Sequence, residues 1–367
     1  MTVDHLIASA LRGESAPWPA RTEAAFETVV LDTAENHGVA ALLAIAPGVF
    51  SWPSRVRTAL TNVLRIEAAA ETIRRQELRQ LLDELGAAGT RPLLLKGGHI
   101  AYTHYPSPWL RPRLDTDLII APGERLRADE VVRSLGYGPA THFAGELVSH
   151  QFQYERQNRY GFVDHVDLHW KVANPHVFAD VFSFKELESQ AGAIDVLGPN
   201  ARGPSNAHAL ILACVHRVAH HHSSDRLIWL YDIHLLARAI GPEDREAFVD
   251  LVLGKRLSAV CADGLAQAEA CFGTAGPKRW LDRLQTASSK TEPTAAFLGT
   301  GRTKLDVLRS DLRALPDWRS KLRIVREHLF PPVAYIRKAY SLSNPASVPF
   351  AYAFRIAKGV GKWSRRG

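Results

Sequence analysis

Two aspartates, Asp115 and Asp117, stand one residue apart at the leading edge of a short apolar run, DLIIA. On a strand, that spacing puts both carboxylates on one face. Like charges held side by side repel, but a divalent cation between them turns the pair into a ligand set, and hard carboxylate oxygens suit Mg2+ or Mn2+. Solvated aspartates at a loop edge show the same spacing, so the pair alone does not define a metal site. A further carboxylate, Asp167, lies in the alternating stretch FVDHVDLHW, with Val166 and Leu168 on the opposite face and His165 and His169 on its own. If that strand runs beside the first, three carboxylates converge. Such a set can hold two cations, one shared with nucleotide phosphates and one activating an acceptor hydroxyl. Asp164 is the rival third carboxylate, although its spacing from Asp167 sends it to the other face.

Gly97 and Gly98 follow the apolar run PLLLK, at the point where a strand gives way to the helix-like HIAYTHY. Backbone N–H groups there can meet a phosphate with no side chain in the way, an arrangement that suits a triphosphate. A Gly-Gly pair after a strand also makes an ordinary tight turn.

The elements that must position these groups are legible around them. Residues 54–85 contain no internal Gly or Pro and repeat leucine and isoleucine at helical spacing, which predicts one long amphipathic helix. Strands are expected at 92–96, 117–121 and 162–170, with a helix at 125–135 closed by Gly136. From Ser205 onward helices dominate, at 206–221, 227–240 and 244–253. This divides the chain into an N-terminal helical region (1–89), a core carrying the chemistry (90–200), a C-terminal helical domain (201–330) and a basic aromatic tail (331–367).

The 367 residues are 46% hydrophobic and 23% charged, a globular composition. No apolar run is long enough for a transmembrane segment, and the N-terminus lacks a basic stretch followed by an apolar one, so the expected location is cytoplasmic. The three cysteines, Cys214, Cys261 and Cys271, lack metal-type spacing and read as reduced, buried thiols. The net charge of +7 is concentrated at the end, where residues 302–367 hold fifteen Lys or Arg against four Asp or Glu. Within that stretch FAYAFRIAKGVGKWSRRG interleaves aromatic and basic residues, a mixture that suits an anionic surface such as nucleic acid or membrane headgroups. A solvated helix face gives the same count, and Gly359-Val360-Gly361 is expected to interrupt any helix there.

The ordered string LLLKGGHIAYTHYPSPWLRPRLDTDLIIAPGERLRADEVVRSLGY, followed by VDLHW, resembles the uncharacterised nucleotidyltransferase family of the DNA polymerase beta-like superfamily. The matching elements are Lys96 and Gly97, Arg111 or Arg113, Asp115 and Asp117, Gly136 and Tyr137, and Asp167 with His169. The likeness covers roughly residues 55–340. It implies an α+β fold: a small mixed β-sheet nucleotidyltransferase core, flanked by N-terminal and C-terminal helical regions. It also implies an Mg2+- or Mn2+-dependent transfer of a nucleoside monophosphate from an NTP to an acceptor, with release of pyrophosphate. The acceptor class, whether small molecule, peptide, protein or RNA, is left open. Sixteen residues, 99–114, separate Gly98 from Asp115 and include three prolines, a longer spacing than the superfamily pattern.

On this reading Asp115, Asp117 and Asp167 are the catalytic metal ligands, and Gly97 and Gly98 donate amides to the terminal phosphates. Lys96, at the strand end, reaches the same phosphates or only solvent. Arg111 and Arg113 flank the metal pair as triphosphate clamps, or one of them serves only to balance the aspartates. His169 orients a carboxylate or contacts the acceptor, or is simply a hydrogen-bonded strand histidine.

Outside that core, His216 and His220 share a helix face with His221 and His222 following, a spacing that also suits a hydrolase metal, but the glutamate of H-E-x-x-H is missing. Asp232, in the apolar WLYDIHLL, is expected to pair with Arg226 or His216. Two other classes therefore stand beside the transferase: a degenerate nucleotide- or partner-binding protein of the same fold, and a metal-dependent hydrolase built on His216 and His220.

Overall fold

Unbroken helix formers from Ser54 onward give the longest element of the chain. The computed structural model describes residues 2–20, 24–140, 147–220, 226–274, 278–288, 292–299 and 302–363. Three short helices, α1 (Val3–Leu11), α2 (Ala24–Asn36) and α3 (Ala40–Leu43), lead into α4, Ser54–Ala87, 34 residues long. At about 1.5 Å per residue this is a rod of roughly 50 Å. Its N-terminal half buries Val56 and Leu60 in one core, and its C-terminal half buries Leu78, Leu81, Leu82 and Leu85 in another.

The sheet has five strands: β1 (Leu93–Leu94), β2 (Asp115–Ile119), β3 (Gly138–Pro139), β4 (Gln151–Gln157) and β5 (Val163–His169). Their spatial order is β1-β2-β5-β4-β3. Only β2 and β5 run parallel; the other neighbours are antiparallel, so the sheet is mixed. Helix α5 (Lys96–Thr103) follows β1, and α6 (Arg125–Ser134) follows β2. One sheet face, with Leu118, Tyr154, Val166 and Leu168, is buried against Leu78, Leu81, Leu82 and Leu85 of α4 and Ala128 and Val132 of α6. Alternation leaves the acidic residues on the other face.

Beyond the sheet come α7 (His176–Ala179), α8 (Phe184–Ser189) and a two-stranded ribbon of β6 (Gly192–Ala193) and β7 (Arg202–Gly203). The helical remainder is α9 (Asn206–His220), α10 (Leu227–Ala239), α11 (Arg245–Gly254), α12 (Ser258–Phe272), α13 (Lys278–Ala287), α14 (Lys304–Ala314), α15 (Trp318–Leu329), α16 (Val333–Ala339) and α17 (Val348–Trp363). Helices α9, α10 and α12 share the larger core with α1, α3 and the start of α4. The structure is therefore α+β, a mixed sheet with helical flanks on both sides in sequence.

Three expectations need correcting. The strand expected at 92–96 is only two residues long, because the chain turns into α5 at Lys96. Strand β4 had no counterpart in the sequence reading. Helix α17 runs through Gly359-Val360-Gly361, which do not interrupt it.

Candidate active site

Parallel pairing of β2 with β5 sets Asp117 directly opposite Asp167 and Asp115 opposite His165. Adjacent strands lie about 4.8 Å apart, and residues paired in register point to the same face. The three carboxylates therefore share one face across two strands. Ligand atoms of Asp117, Asp167 and His169 lie within 4.8 Å of one another. Asp117 and Asp167 are buried, whereas Asp115 is exposed at the strand's beginning. Asp164 falls on the other face, where it accepts hydrogen bonds from Asn158 Nδ2 at 3.2 and 3.3 Å.

Burial alone would raise the Asp117 carboxyl, but Lys96 and His169 outweigh it and hold it well below the usual range. Lys96 Nζ donates to Asp117 Oδ1 at 2.6 Å, and His169 Nε2 lies 2.8 Å from the same oxygen. Burial and the Lys96 charge lower the imidazole's pKa, so His169 is neutral and donates its Nε2 hydrogen to a carboxylate that can only accept. Burial would strip the Lys96 ammonium of its proton, yet the Asp117 charge raises its pKa.

Asp167 has no such cation. Burial, then the charges of Asp117 and Asp115, push it up to about 7. Its oxygens accept hydrogen bonds from Gln151 Nε2 at 2.6 Å and Gln153 Nε2 at 3.2 Å, both on β4. The Asp115 carboxyl is also raised, chiefly by the Asp117 charge beside it. A buried carboxylate left without enough positive charge is what a divalent cation corrects, so this oxygen set fits Mg2+ or Mn2+.

The turn into α5 is the tightest part of the site. Lys96 has φ +49°, a left-handed conformation that costs a non-glycine residue about 1 kcal/mol or more. The Leu95 N–H bonds to the Asp117 carbonyl at 2.9 Å and the Lys96 ammonium to its carboxylate, which together hold the strained turn in place. Gly97 and Gly98 then occupy the first turn of α5, whose leading amides have no acceptor within the helix. A side chain at Gly97 would meet the Arg111 guanidinium at 3.0 Å, and one at Gly98 the Leu94 side chain at 2.9 Å.

Arg111 and Arg113, expected as clamps or as balance for the aspartates, are engaged elsewhere. Asp232 of α10 accepts from Arg111 Nε at 3.0 Å and Nη2 at 2.7 Å, and from the Tyr105 hydroxyl at 2.8 Å. Asp232 thus pairs with Arg111, not with Arg226 or His216. Arg113 donates from Nη2 to Glu71 of α4 at 2.9 Å. The two arginines fasten the long loop before β2 to helices on either side. His216 packs edge-on against Trp229, their ring centroids 5.9 Å apart. His221 and His222, and the side chain of His220, lie outside the described residues.

A mixed sheet whose parallel pair carries facing aspartates, next to a glycine-led helix start, defines a nucleotidyltransferase-type core. The chain belongs to the uncharacterised nucleotidyltransferase family, whose model matches residues 27–273. That span begins earlier than the expected likeness, in α2, and stops after α12. A comparison with curated proteins finds no match. Among the described residues, no helix is long and apolar enough to cross a membrane.

Sequence reasoning missed Gln151 and Gln153. Their only signal is the polar alternation of QFQYERQ, in which Phe152 and Tyr154 take the core face.

Proposed function

We propose that the chain transfers a nucleoside monophosphate from an NTP to a hydroxyl-bearing acceptor, with Asp115, Asp117 and Asp167 as ligands of Mg2+ or Mn2+. The observation that carries this is the in-register pair Asp117–Asp167 across parallel strands. Bound divalent cations supply charge neutralisation at the phosphates and acidify the attacking hydroxyl. Gly97 and Gly98 present amides at the head of α5 to the phosphates. Lys96, already cationic and beside Asp117, supplies a further positive charge there. His169 fixes the orientation of Asp117 by its Nε2 hydrogen bond, and Gln151 and Gln153 do the same for Asp167.

In the transfer, the acceptor oxygen bonds to the α-phosphorus and the bond from that phosphorus to the bridging oxygen breaks. Pyrophosphate leaves with the electron pair. The hydroxyl proton passes to the Asp167 carboxylate, the acceptor-side base in this scheme. Arg111 and Arg113 act at one remove in this scheme, holding the loop and α5 in place.

The basic tail is part of the proposal as a contact for anionic surfaces. Phe350 and Phe354 are exposed one turn apart on α17, and Lys358 Nζ lies 5.4 Å from the Phe354 ring centre. An apolar stripe bordered by cations results.

The test is pyrophosphate release from each of the four NTPs with Mg2+ or Mn2+ and a cell extract as acceptor source. Transfer of label from an α-labelled NTP onto an extract component supports the reading. Metal-dependent NTP binding without transfer would instead identify a nucleotide-binding protein that has lost turnover. Stoichiometric, tightly held zinc would favour the histidine-based hydrolase.

A further inference from the structure

Strand β4 carries the two glutamines that hold Asp167, and its entry is gripped from far along the chain. Gln151 is the first residue of the strand and pairs with His169, two positions beyond Asp167. It therefore reaches the carboxylate diagonally, donating to Asp167 Oδ2 at 2.6 Å. A diagonal contact made from the first residue of a strand lengthens as soon as that end frays or slides. Whether it does is decided by the residues before it.

Those residues are 147–150. The N–H groups of Leu147 and Val148 lie ahead of the ladder, and both donate to Glu327 Oε2 of α15, at 2.8 and 3.2 Å. The other oxygen of Glu327 accepts from Arg323 Nε at 3.0 Å, which orients the carboxylate. An ionised acceptor makes such bonds stronger than a carbonyl would. The Leu147 carbonyl accepts from His176 Nε2 at 2.7 Å, and the His176 N–H donates in turn to Asp311 Oδ1 of α14 at 2.8 Å. Leu147 and Val148 pack their side chains against Leu308, Leu315 and Ile324. The His150 N–H donates to Asn174 Oδ1 at 3.0 Å, and the His150 carbonyl accepts from the N–H of Trp170, directly after β5.

Helices α14 and α15 lie past residue 273, where the family match stops. The Glu327 side chain is nonetheless only 15% exposed, and it reaches back across 180 positions of chain to Leu147.

We propose that Glu327 is a positioning residue for the metal site: by holding the amides of Leu147 and Val148 it sets where β4 enters the sheet, and so keeps Gln151 on Asp167. The working unit then runs to the end of α15, past the family match. The proposal rests on the nucleotidyl-transfer reading above for the identity of the metal site. A hydrogen-bond donor that orients a metal-binding carboxylate changes metal affinity about 10- to 100-fold when it is removed.

The experiment uses the full chain and Mn2+ alone as the probe, with free Mn2+ read by electron paramagnetic resonance and the fold checked by circular dichroism. Gln151→Ala should weaken Mn2+ binding about tenfold, and Glu327→Ala, one step further away, about fivefold. Glu327→Gln keeps an acceptor oxygen in the same place and should stay within about twofold of the parent. Glu327→Asp keeps the charge but withdraws it by one carbon–carbon bond, about 1.5 Å, and should lose about threefold. It carries the test if Glu327→Ala disturbs folding. In the Gln151→Ala protein, adding Glu327→Ala should cost less than about twofold more, because both act through one contact. Mn2+ affinity equal to the parent's in folded Glu327→Ala or Glu327→Asp overturns the proposal. So do losses that multiply in the double variant, which would place the effect of α15 somewhere other than Gln151. Absence of Mn2+ binding by the parent, or binding that Asp117→Asn leaves unchanged, is a different failure, that of the metal site in the transferase reading, and it removes the proposal as well.

Discussion

Asp167→Asn should stabilise the metal-free protein at alkaline pH while destroying its response to metal. Moving a carboxyl from 3.8 to about 7 costs its ionised form roughly 4 kcal/mol, and Asp167 is buried, so little of that is screened. The sign follows from linkage. A carboxyl raised in the folded state is protonated in the fold and ionised in the unfolded chain between pH 4 and 7. Folding stability from this group is therefore full below the unfolded value and is lost as pH rises through about 7. Asparagine removes the ionised form. In EDTA at pH 8 the variant should gain about half of the 4 kcal/mol, roughly 2 kcal/mol, because its amide also disturbs the hydrogen bonds donated by Gln151 and Gln153. At pH 4.5, where the parent's carboxyl is protonated in the fold, the amide's cost outweighs the little that remains to be gained, and the variant should be the less stable of the two by about 1 kcal/mol. Adding Mg2+ at pH 8 should raise the unfolding midpoint of the parent and leave the variant unchanged. Denaturant unfolding at the two pH values, with and without Mg2+, measures all of this. A variant less stable than the parent at pH 8 in EDTA would refute the account of an uncompensated buried charge.

Other perturbations separate the ligands from the scaffold. Asp117→Asn or Asp115→Asn should abolish transfer and weaken NTP binding chiefly when Mg2+ is present; calorimetry with and without the metal checks it, and retained turnover in both would remove the pair from the chemistry. Asp232→Ala should cost about 3–5 kcal/mol in denaturant unfolding, because it strands the buried Arg111 guanidinium; a loss under about 1 kcal/mol would show that the loop is held by other contacts. Replacing Arg355 and Lys358 with Glu should cut binding to anionic vesicles at low salt with no change in the thermal midpoint, and unchanged binding would reduce the tail's charge to a solvated face.

The shared face of the three carboxylates was more legible than the scaffolding around it. Asp115, Asp117 and Asp167 announce themselves because a strand's two-residue period is local, and the parallel register then needed only the sheet to form. The long helix was read to within two residues of its end, since the 32 residues 54–85 contain no Gly or Pro and leave few alternatives. Long-range partners are a different matter. Arg111 finds Asp232 across 121 positions and Arg113 finds Glu71 across 42, and no periodicity carries that information. Strand β4 escaped because its site-facing residues are glutamines, polar where a buried strand usually shows valine or isoleucine. They are polar because they serve a carboxylate. The glycines of α17 were given too much weight, for a helix-breaking cost of about 1 kcal/mol each is small beside the burial of Val348 and Ala351 against Ile336.

Helix α4 has a mechanical consequence for turnover. Because one unbroken rod is anchored by Val56 and Leu60 in the helical core and by Leu78, Leu81, Leu82 and Leu85 behind the sheet, the two halves of the molecule are clamped to a common axle. Swinging one half over the other would require bending about nine turns of hydrogen-bonded backbone or tearing a leucine row from its bed. Substrate capture must then be the work of short loops and side chains, on the timescale of their rearrangement and not of hinged halves. On the nucleotidyl-transfer reading, the carboxylate face is consequently pre-set before any ligand arrives.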